Sequence, residues 1–327
     1  MRIEPLTDDG IASAYAVHRA AAEWDVPDIP PLAWSLFDNA LRHPLPSTRL
    51  ERFVATRDGV VVGFALLNLP QYDNLDNAHI DLVVAPDQRR QGIGRALHAV
   101  AVERARAAGR KHLTGGTFDI RRHGDAFAAA MGAVAALRET RSRLDVGRAD
   151  PDALEALRTG AWGHADGYRL AQWIGVPPDE LVDDIAYLDS RLNLDAPRGE
   201  LALEAEKVDA DRVRANERAR QARGLTAFHT GAVHAASGRL VAWTTLTSTA
   251  EAPWHAWQQI TIVDPEHRGH RLGLVVKLEN LRYLRAHRPE LSAIDTVNAS
   301  ANEHMLDVNR LMGFRPVGVE TQWQQTL

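Results

Sequence analysis

The sequence predicts an α/β protein made of two tandem domains, each a mixed sheet flanked by helices, and three observations predict it. Its 327 residues exceed what one hydrophobic core usually organises. A pattern beginning at Gly59 recurs at Gly238, one fixed spacing further along. Each copy reads as a hairpin, a strand, a glycine-bearing loop and a helix.

In the first copy, residues 52–56 and 60–68 alternate in polarity around the turn Asp58-Gly59, a strong hairpin signal. A strand over 79–84 follows and ends at Pro86. Residues 94–108 have helical composition and stop at Gly109, placed to cap the helix before a strand over 112–118. In the second copy the same logic gives strands over 225–234, 240–247 and 258–263. It then gives a helix over 272–287 that ends before Pro289, and a strand over 293–299. A further helix ends at Met312, with Gly313 as its cap and Phe314 opening a closing strand. The run Arg148-Ala149-Asp150-Pro151 reads as a linker, because Asp-Pro starts turns. The expected domains are therefore residues 1–150 and 151–327.

The repeat needs no insertion across the segment that matters. The shift lays Gly59-Val60-Val61-Val62-Gly63-Phe64 on Gly238-Arg239-Leu240-Val241-Ala242-Trp243, and Val84-Ala85-Pro86 on Val263-Asp264-Pro265. It also puts Arg89 on Arg268 and Gly94 on Gly273. The matches fall at turns and strand ends, where backbone geometry restricts residue type.

Composition narrows the function classes. Hydrophobic residues make up 45% and charged residues 25%, the balance of an ordinary globular protein. No stretch approaches the ~18 to 20 unbroken apolar residues of a membrane helix, and Glu4, Asp8 and Asp9 do not fit a signal peptide, so a cytoplasmic protein with no membrane partner is expected. The absence of cysteine excludes disulfides and a thiol nucleophile. The first 150 residues carry 19 basic and 19 acidic side chains, and the remainder of the 38 and 43 argues against a nucleic-acid partner. The histidines show no metal-ligand spacing, and no metal is expected. The acidic cluster Asp179, Glu180, Asp183, Asp184 and Asp189 reads as a solvated helix face. Trp162, Trp173, Trp243, Trp254, Trp257 and Trp323 read as packing residues rather than an aromatic cage.

The most informative segment is the strand that runs through Val84-Ala85-Pro86 into Arg89-Arg90-Gln91-Gly92-Ile93-Gly94-Arg95. It delivers the chain to the start of a helix, whose first amides have no partner within the helix. Gly92 and Gly94 let backbone approach a ligand, and the helix dipole and the arginines favour an anion such as a diphosphate. From Gly-Ile-Gly alone, a plain strand–helix connection is the simpler reading. A dinucleotide fingerprint is excluded, because its third glycine would fall on Leu97. No glycine loop is followed by Gly-Lys-Ser/Thr.

The whole pattern resembles the acetyl-CoA signature Arg/Gln-x-x-Gly-x-Gly/Ala of the GNAT superfamily of N-acetyltransferases. The second half resembles the loop of tandem actinobacterial members through Val263-Asp264-Pro265, Arg268-Gly269-His270-Arg271-Leu272-Gly273 and Lys277. It also does so through Asn298, Asn302 and Val308-Asn309. The resemblance implies that two central parallel strands splay apart in each half, with acetyl-CoA as donor substrate entering the gap beside Val84 or Val263. It implies cofactor contacts from Arg89 to Arg95, from Arg268 to Gly273, and from Asn298 and Asn302. Departures are clear: Arg271 replaces the first signature glycine, and Ala128 and Asn309 stand where many members carry an acidic tyrosine.

An amine acceptor must lose a proton before it attacks the thioester. His79 and Asp81, alternate residues on one strand, share a face and are candidates for that work, as structural roles are for both. Asp295, Glu303 and His304 are weaker candidates. Asn309 is the remaining catalytic candidate by position. The expected function is an acetyl-CoA-dependent N-acetyltransferase acting by direct attack in a ternary complex, as a monomer or homodimer, with the two halves unequal. The alternatives are a silent acyl-CoA-binding module and an acyltransferase with another donor or acceptor.

Overall fold

The computed structural model describes every residue except Asp119 and the side chain of Asn193. The chain forms two compact units. The first comprises Met1–Glu139, Arg198–Glu204 and Gly318–Leu327; the second comprises Thr140–Pro197 and Ala205–Val317.

The first unit begins with β1 (Arg2–Pro5), α1 (Ile11–Asp25) and α2 (Trp34–Arg42). The antiparallel run β2 (Thr48–Arg57), β3 (Val60–Pro70) and β4 (Asn77–Val84) follows. Then come α3 (Ile93–Ala107), β5 (His112–Phe118), α4 (His123–Ala130) and β6 (Val134–Asp145), whose second part belongs to the other unit. Alternation along the strands builds a core on each face of the sheet. One face buries Leu67, Leu69, Ala78 and Leu113 against Ala101 and Ala105 of α3. The other buries Val54 and Phe64 against Ile11, Ala14 and Val17 of α1 and Phe37 and Leu41 of α2.

The second unit contains α5 (Pro151–Trp162), β7 (Tyr168–Ile174), α6 (Val182–Asp195) and α7 (Ala210–Ala222). After these come β8 (Leu225–His234), β9 (Leu240–Thr249), β10 (His255–Val263), α8 (Leu272–His287), β11 (Ala293–Ala299) and α9 (Glu303–Leu311). Its strands lie in the order β6-β11-β10-β9-β8-β7. Helix α8 is buried nearly all round, against β8, β9, β10 and α5. Asp295 on β11 ties the strands together. Its carboxylate accepts from His255 Nε2 at 2.7 Å and from Arg143 Nη2 at 2.7 Å, with Arg141 Nη1 at 3.5 Å.

The linker reading is corrected here. The run Arg148–Pro151 is a helix start inside the second unit: Asp150 caps α5 by accepting from the amides of Asp152 and Ala153, and Pro151 takes the first helical turn. Asp-Pro is as good a cap and first turn as it is a linker. The expected closing strand after Phe314 is β12 (Arg315–Thr326), which pairs antiparallel with β5 from Glu320/Phe118 to Thr326/His112, and its residues from Gly318 on belong to the first unit. Among the described residues, no helix is long and apolar enough to cross a membrane.

Candidate functional site

Both units contain a pair of parallel strands that part. In the first, the β4–β5 ladder runs through Asn77/His112, Ala78/Leu113 and His79/Thr114 and ends there. Beyond His79, β4 stays on β3, from Leu67/Ile80 to Gly63/Val84. In the second, the β10–β11 ladder ends at Gln258/Thr296, while β10 follows β9 to Val263/Ala242 with an irregularity between Gln258 and Thr261. Each gap therefore leaves strand amides and carbonyls without a strand partner on one side, which is what an extended amide-bearing ligand requires.

Each gap ends at a turn into a helix, and the two turns share a backbone conformation. In the first, Arg90 (φ 63°) and Gly92 (φ 84°, the N-cap of α3) are left-handed; in the second, the matching residues Gly269 (φ 88°) and Arg271 (φ 54°, the N-cap of α8) are left-handed too. Glycine relieves one of the two positions in each copy, a different one each time. The arginine at the other costs roughly 1–2 kcal/mol. Neither Gly92 nor Arg271 caps through a side chain, so no side-chain cap satisfies the first helical amides. Arg90, Gln91, Gly92 and Arg95 are exposed in the first loop, and Arg268, Gly269, His270 and Arg271 in the second.

Several expected loop side chains have other work. Arg89 donates twice to Asp25 on α1, at 2.8 and 2.7 Å, and its Nε donates to the Val84 carbonyl at 3.1 Å, so it staples the loop to α1. Gln91 accepts from Arg57. Ile93 and Leu272 are buried in the cores, so their side chains are not free for a ligand. Val84 and Val263 pack on those cores as well. Gly94 faces the Phe127 ring: a Cβ there would stand 3.1 Å from it. Gly273 has ordinary room, with Val263 at 3.6 Å. Arg268 pairs with Asp195 at 2.9 Å and His270 lies 3.3 Å from the His164 carbonyl. Sequence reading missed Asp25, and also Tyr168, whose hydroxyl is 2.8 Å from His267 Nδ1 and braces the second loop from β7.

The faces of β4 follow from its neighbours. Ile80, Leu82 and Val84 pack with Ile93 and Leu97 of α3, and Val83 packs with α1 and α2 residues. His79 and Asp81 therefore lie on the α1 and α2 face, at the level where the gap opens. His79 Nδ1 is 3.1 Å from Thr114 Oγ1 across the last paired position, and its Nε2 is 3.5 Å from Asp81 Oδ1. Asn68 donates to the other Asp81 oxygen at 3.3 Å. The His79 side chain is 39% exposed and Asp81 54%. Burial disfavours the charged imidazole, but Asp81 and, further off, Glu320 outweigh it and hold His79 above its ordinary range. His18 on α1 faces the same carboxylate, yet burial dominates there and pushes it down.

More carboxylates share this face of the first unit. Gln322 on β12 donates to Glu320 and to Glu139 on β6, both at 2.9 Å, and Gly116 opposite lets Glu320 approach, since a Cβ there would lie 2.8 Å from Oε1. Burial raises Glu139 above the usual carboxylate range, against the Gln322 hydrogen bond.

The corresponding face of the second unit carries no comparable pair on β10. Gln258 is buried and donates to Thr244 Oγ1, the Thr245 carbonyl and the Ile260 carbonyl. Asp295 is fully buried in its arginine and histidine contacts. Glu303 and His304 are exposed at the start of α9. Asn302 caps that helix by accepting from Met305 N at 3.2 Å. Asn309 Nδ2 donates to Asn298 Oδ1 at 2.8 Å, while Asn309 Oδ1 is buried without a partner. Lys277 on α8 is 1% exposed and lies 5.4 Å from the Phe314 ring. Burial pulls its ammonium down to about 7. Among the described residues, no group of three or more histidines, aspartates or glutamates is arranged to hold a metal ion.

The acidic run is corrected too. Asp179 is solvated, but Asp184 pairs with Arg239 at 2.8 Å and accepts from the Leu240 amide, and burial raises Asp189. The helical period turns those two toward the sheet.

The Acetyltransferase (GNAT) family matches residues 14–132. No curated relative matches the chain. Among solved structures, a tandem GNAT protein from the clavulanic acid biosynthesis pathway, solved without AcCoA, is 33% identical, with 99% of this chain and 98% of that one covered and a TM-score of 0.85. Two GCN5-related N-acetyltransferases share the fold at low identity. The one from Sphaerobacter thermophilus is 14% identical over 99% of this chain and 95% of that one, with a TM-score of 0.68. The one from Kribbella flavida is 13% identical over 100% and 71%, with a TM-score of 0.54.

Proposed function

The chain belongs to the acetyltransferase (GNAT) family, and on that premise we propose that it moves an acetyl group from acetyl-CoA to a primary amine, with the chemistry in the gap of the first unit. The observation that carries this reading is the parting of β4 from β5 right after His79, beside a helix start that has no side-chain cap. In this account the turn from Arg90 to Arg95 holds the diphosphate of the donor substrate, and the free edge of β4 holds its amides.

His79 takes a proton from the acceptor ammonium, and Asp81 steadies the imidazolium that results. The neutral amine then attacks the thioester carbonyl, the carbon–sulfur bond breaks, and the thiolate leaves with the second proton that the amine nitrogen sheds as the amide forms. No covalent enzyme intermediate is involved, in keeping with a chain that has no cysteine. Asp81, Glu139 and Glu320 give the acceptor face a negative character suited to a cation.

A second reading, that the other half is a silent acyl-CoA module, is favoured by Gln258 and Asp295, whose polar atoms are spent within the fold. Thiol release from acetyl-CoA, measured with polyamines, aminoglycosides, amino acids and peptides as acceptors, tests the proposal. Turnover with at least one amine is expected. Tight acetyl-CoA binding without turnover across the panel would favour a silent protein instead.

A further inference from the structure

A buried lysine lies beside the strand gap of the second unit. The chain has only three lysines, Lys111, Lys207 and Lys277, and the first two are exposed. Lys277, on α8, is 1% exposed. Helix α8 packs on β8, β9 and β10, and at its start Gly273 faces the end of β10: a Cβ there would lie 3.6 Å from Val263 and 3.9 Å from Thr261. Both of those residues lie beyond Gln258, the last β10 position paired with β11. Lys277 is one turn further along, on the same face of the helix.

The far end of the lysine meets the other side of the gap. Its Nζ lies 5.4 Å from the Phe314 ring. The Phe314 amide donates to the Asn309 carbonyl at 3.0 Å, and Asn309 Nδ2 donates to Asn298 Oδ1 on β11, so the ring is tied to β11. Asn309 Oδ1 is buried there without a hydrogen-bond partner. The lysine thus reaches from the β10 side of the parted strands to the β11 side. Among the described residues, neither a carboxylate nor a hydrogen bond holds its ammonium, and burial alone pulls its pKa down to about 7. At pH 7 about half of it is the neutral amine, whereas an exposed lysine is neutral in only roughly one part in 10³–10⁴. The first unit has His98 at the matching position, 3.0 Å from Gln325 Oε1, and so has no such amine.

We infer that Lys277 is a self-acetylation site, whose Nζ attacks the thioester carbonyl of acetyl-CoA seated in the second strand gap. The nitrogen–carbon bond forms, the carbon–sulfur bond breaks, and the proton that the nitrogen sheds goes to the sulfur, which leaves as the CoA thiol. The product is a neutral amide, so an ammonium no longer has to be buried. The inference rests on the reading of the parted strands as acetyl-CoA sites, and extends it to the unit that has no base on β10.

The test is incubation of the full chain with acetyl-CoA at pH 7 without an acceptor, read by intact mass, by peptide mapping of the three lysines and by calorimetry. A gain of one acetyl group at Lys277 is expected, with Lys111 and Lys207 modified about tenfold more slowly or less. Lys277→Met should lose that gain, and circular dichroism checks that it folds. Excess CoA should slow the modification; a rate that ignores CoA would mean reaction without a seated donor and would overturn the inference. His79→Ala should acetylate Lys277 as the wild type does, and loss of the modification there would place the chemistry in the first unit and overturn it too. If acetyl-CoA binds while Lys277 stays unmodified, the inference alone is overturned. If acetyl-CoA does not bind, it falls together with the reading it rests on.

Discussion

His79 owes its chemistry to position: it is the last β4 residue with a β5 partner, and Asp81 on the same face faces its outer nitrogen. A base held above its ordinary range works only where it is deprotonated, so turnover is expected to rise as pH rises through the His79 pKa. Asp81→Asn removes the charge that raises it, and the acidic limb of the pH–rate profile should move to lower pH. His79→Ala should cost about 10²–10⁴-fold in kcat. Profiles that coincide for wild type and Asp81→Asn would separate this pair from the chemistry. The pair was legible in the sequence as alternate residues on a strand. Its face was not, because that depends on Val83 packing against α1 and α2 while Val84 packs against α3.

At the scale of elements, helices α3 and α8 show what repetition preserves and what it gives up. Positions 98 and 277 correspond. His98 meets Gln325 at 3.0 Å, whereas Lys277 is buried over Phe314. Burial lowers both groups. For Lys277 the folded state releases its proton near pH 7, while the unfolded chain keeps it to about 10.5. Between those values the unfolded state binds more protons, so stability should rise with pH. Lys277→Met should remove that slope and stabilise the protein at pH 7 by at least ~1 kcal/mol, read as a melting point ~2–4 °C higher. A slope unchanged in the variant would contradict the account. The strands and helices around each loop could be read from alternation, Gly109, Pro86 and Gly313. Helices α1, α2, α6 and α7 lie outside the matched segment of the repeat, even though α7 is capped by Asp209 and followed by the left-handed Gly224, and the contacts they make decide which faces the gaps present. The Arg89–Asp25 staple spans 64 residues, a contact that no local pattern encodes.

For the whole molecule, the two units are not the two halves of the sequence. The first unit's sheet is completed by β12, and Gln324 and Gln325 from that strand accept from the Ala202 amide and donate to the Met131 carbonyl. The repeat predicts two copies, but not this reassignment, since a closing strand reads the same whichever sheet it joins. A fragment of residues 1–150 would leave the outer edge of β5 bare and should fail to give a cooperative melt, whereas the full chain should melt cooperatively; a well-folded fragment would show β12 to be dispensable. The proposed diphosphate site depends on the turn at Gly92. Its backbone is left-handed and a Cβ placed there would meet nothing within 4 Å, so strain, and not collision, is the effect of a side chain. Calorimetry of acetyl-CoA with the full chain and with Gly92→Ala tests it most directly. Saturable binding to the wild type is expected to weaken by about tenfold in the variant, because the unliganded turn relaxes out of the left-handed conformation and roughly 1–2 kcal/mol must be spent to restore it on binding. No heat from the intact folded protein, or equal affinity in both, would contradict it.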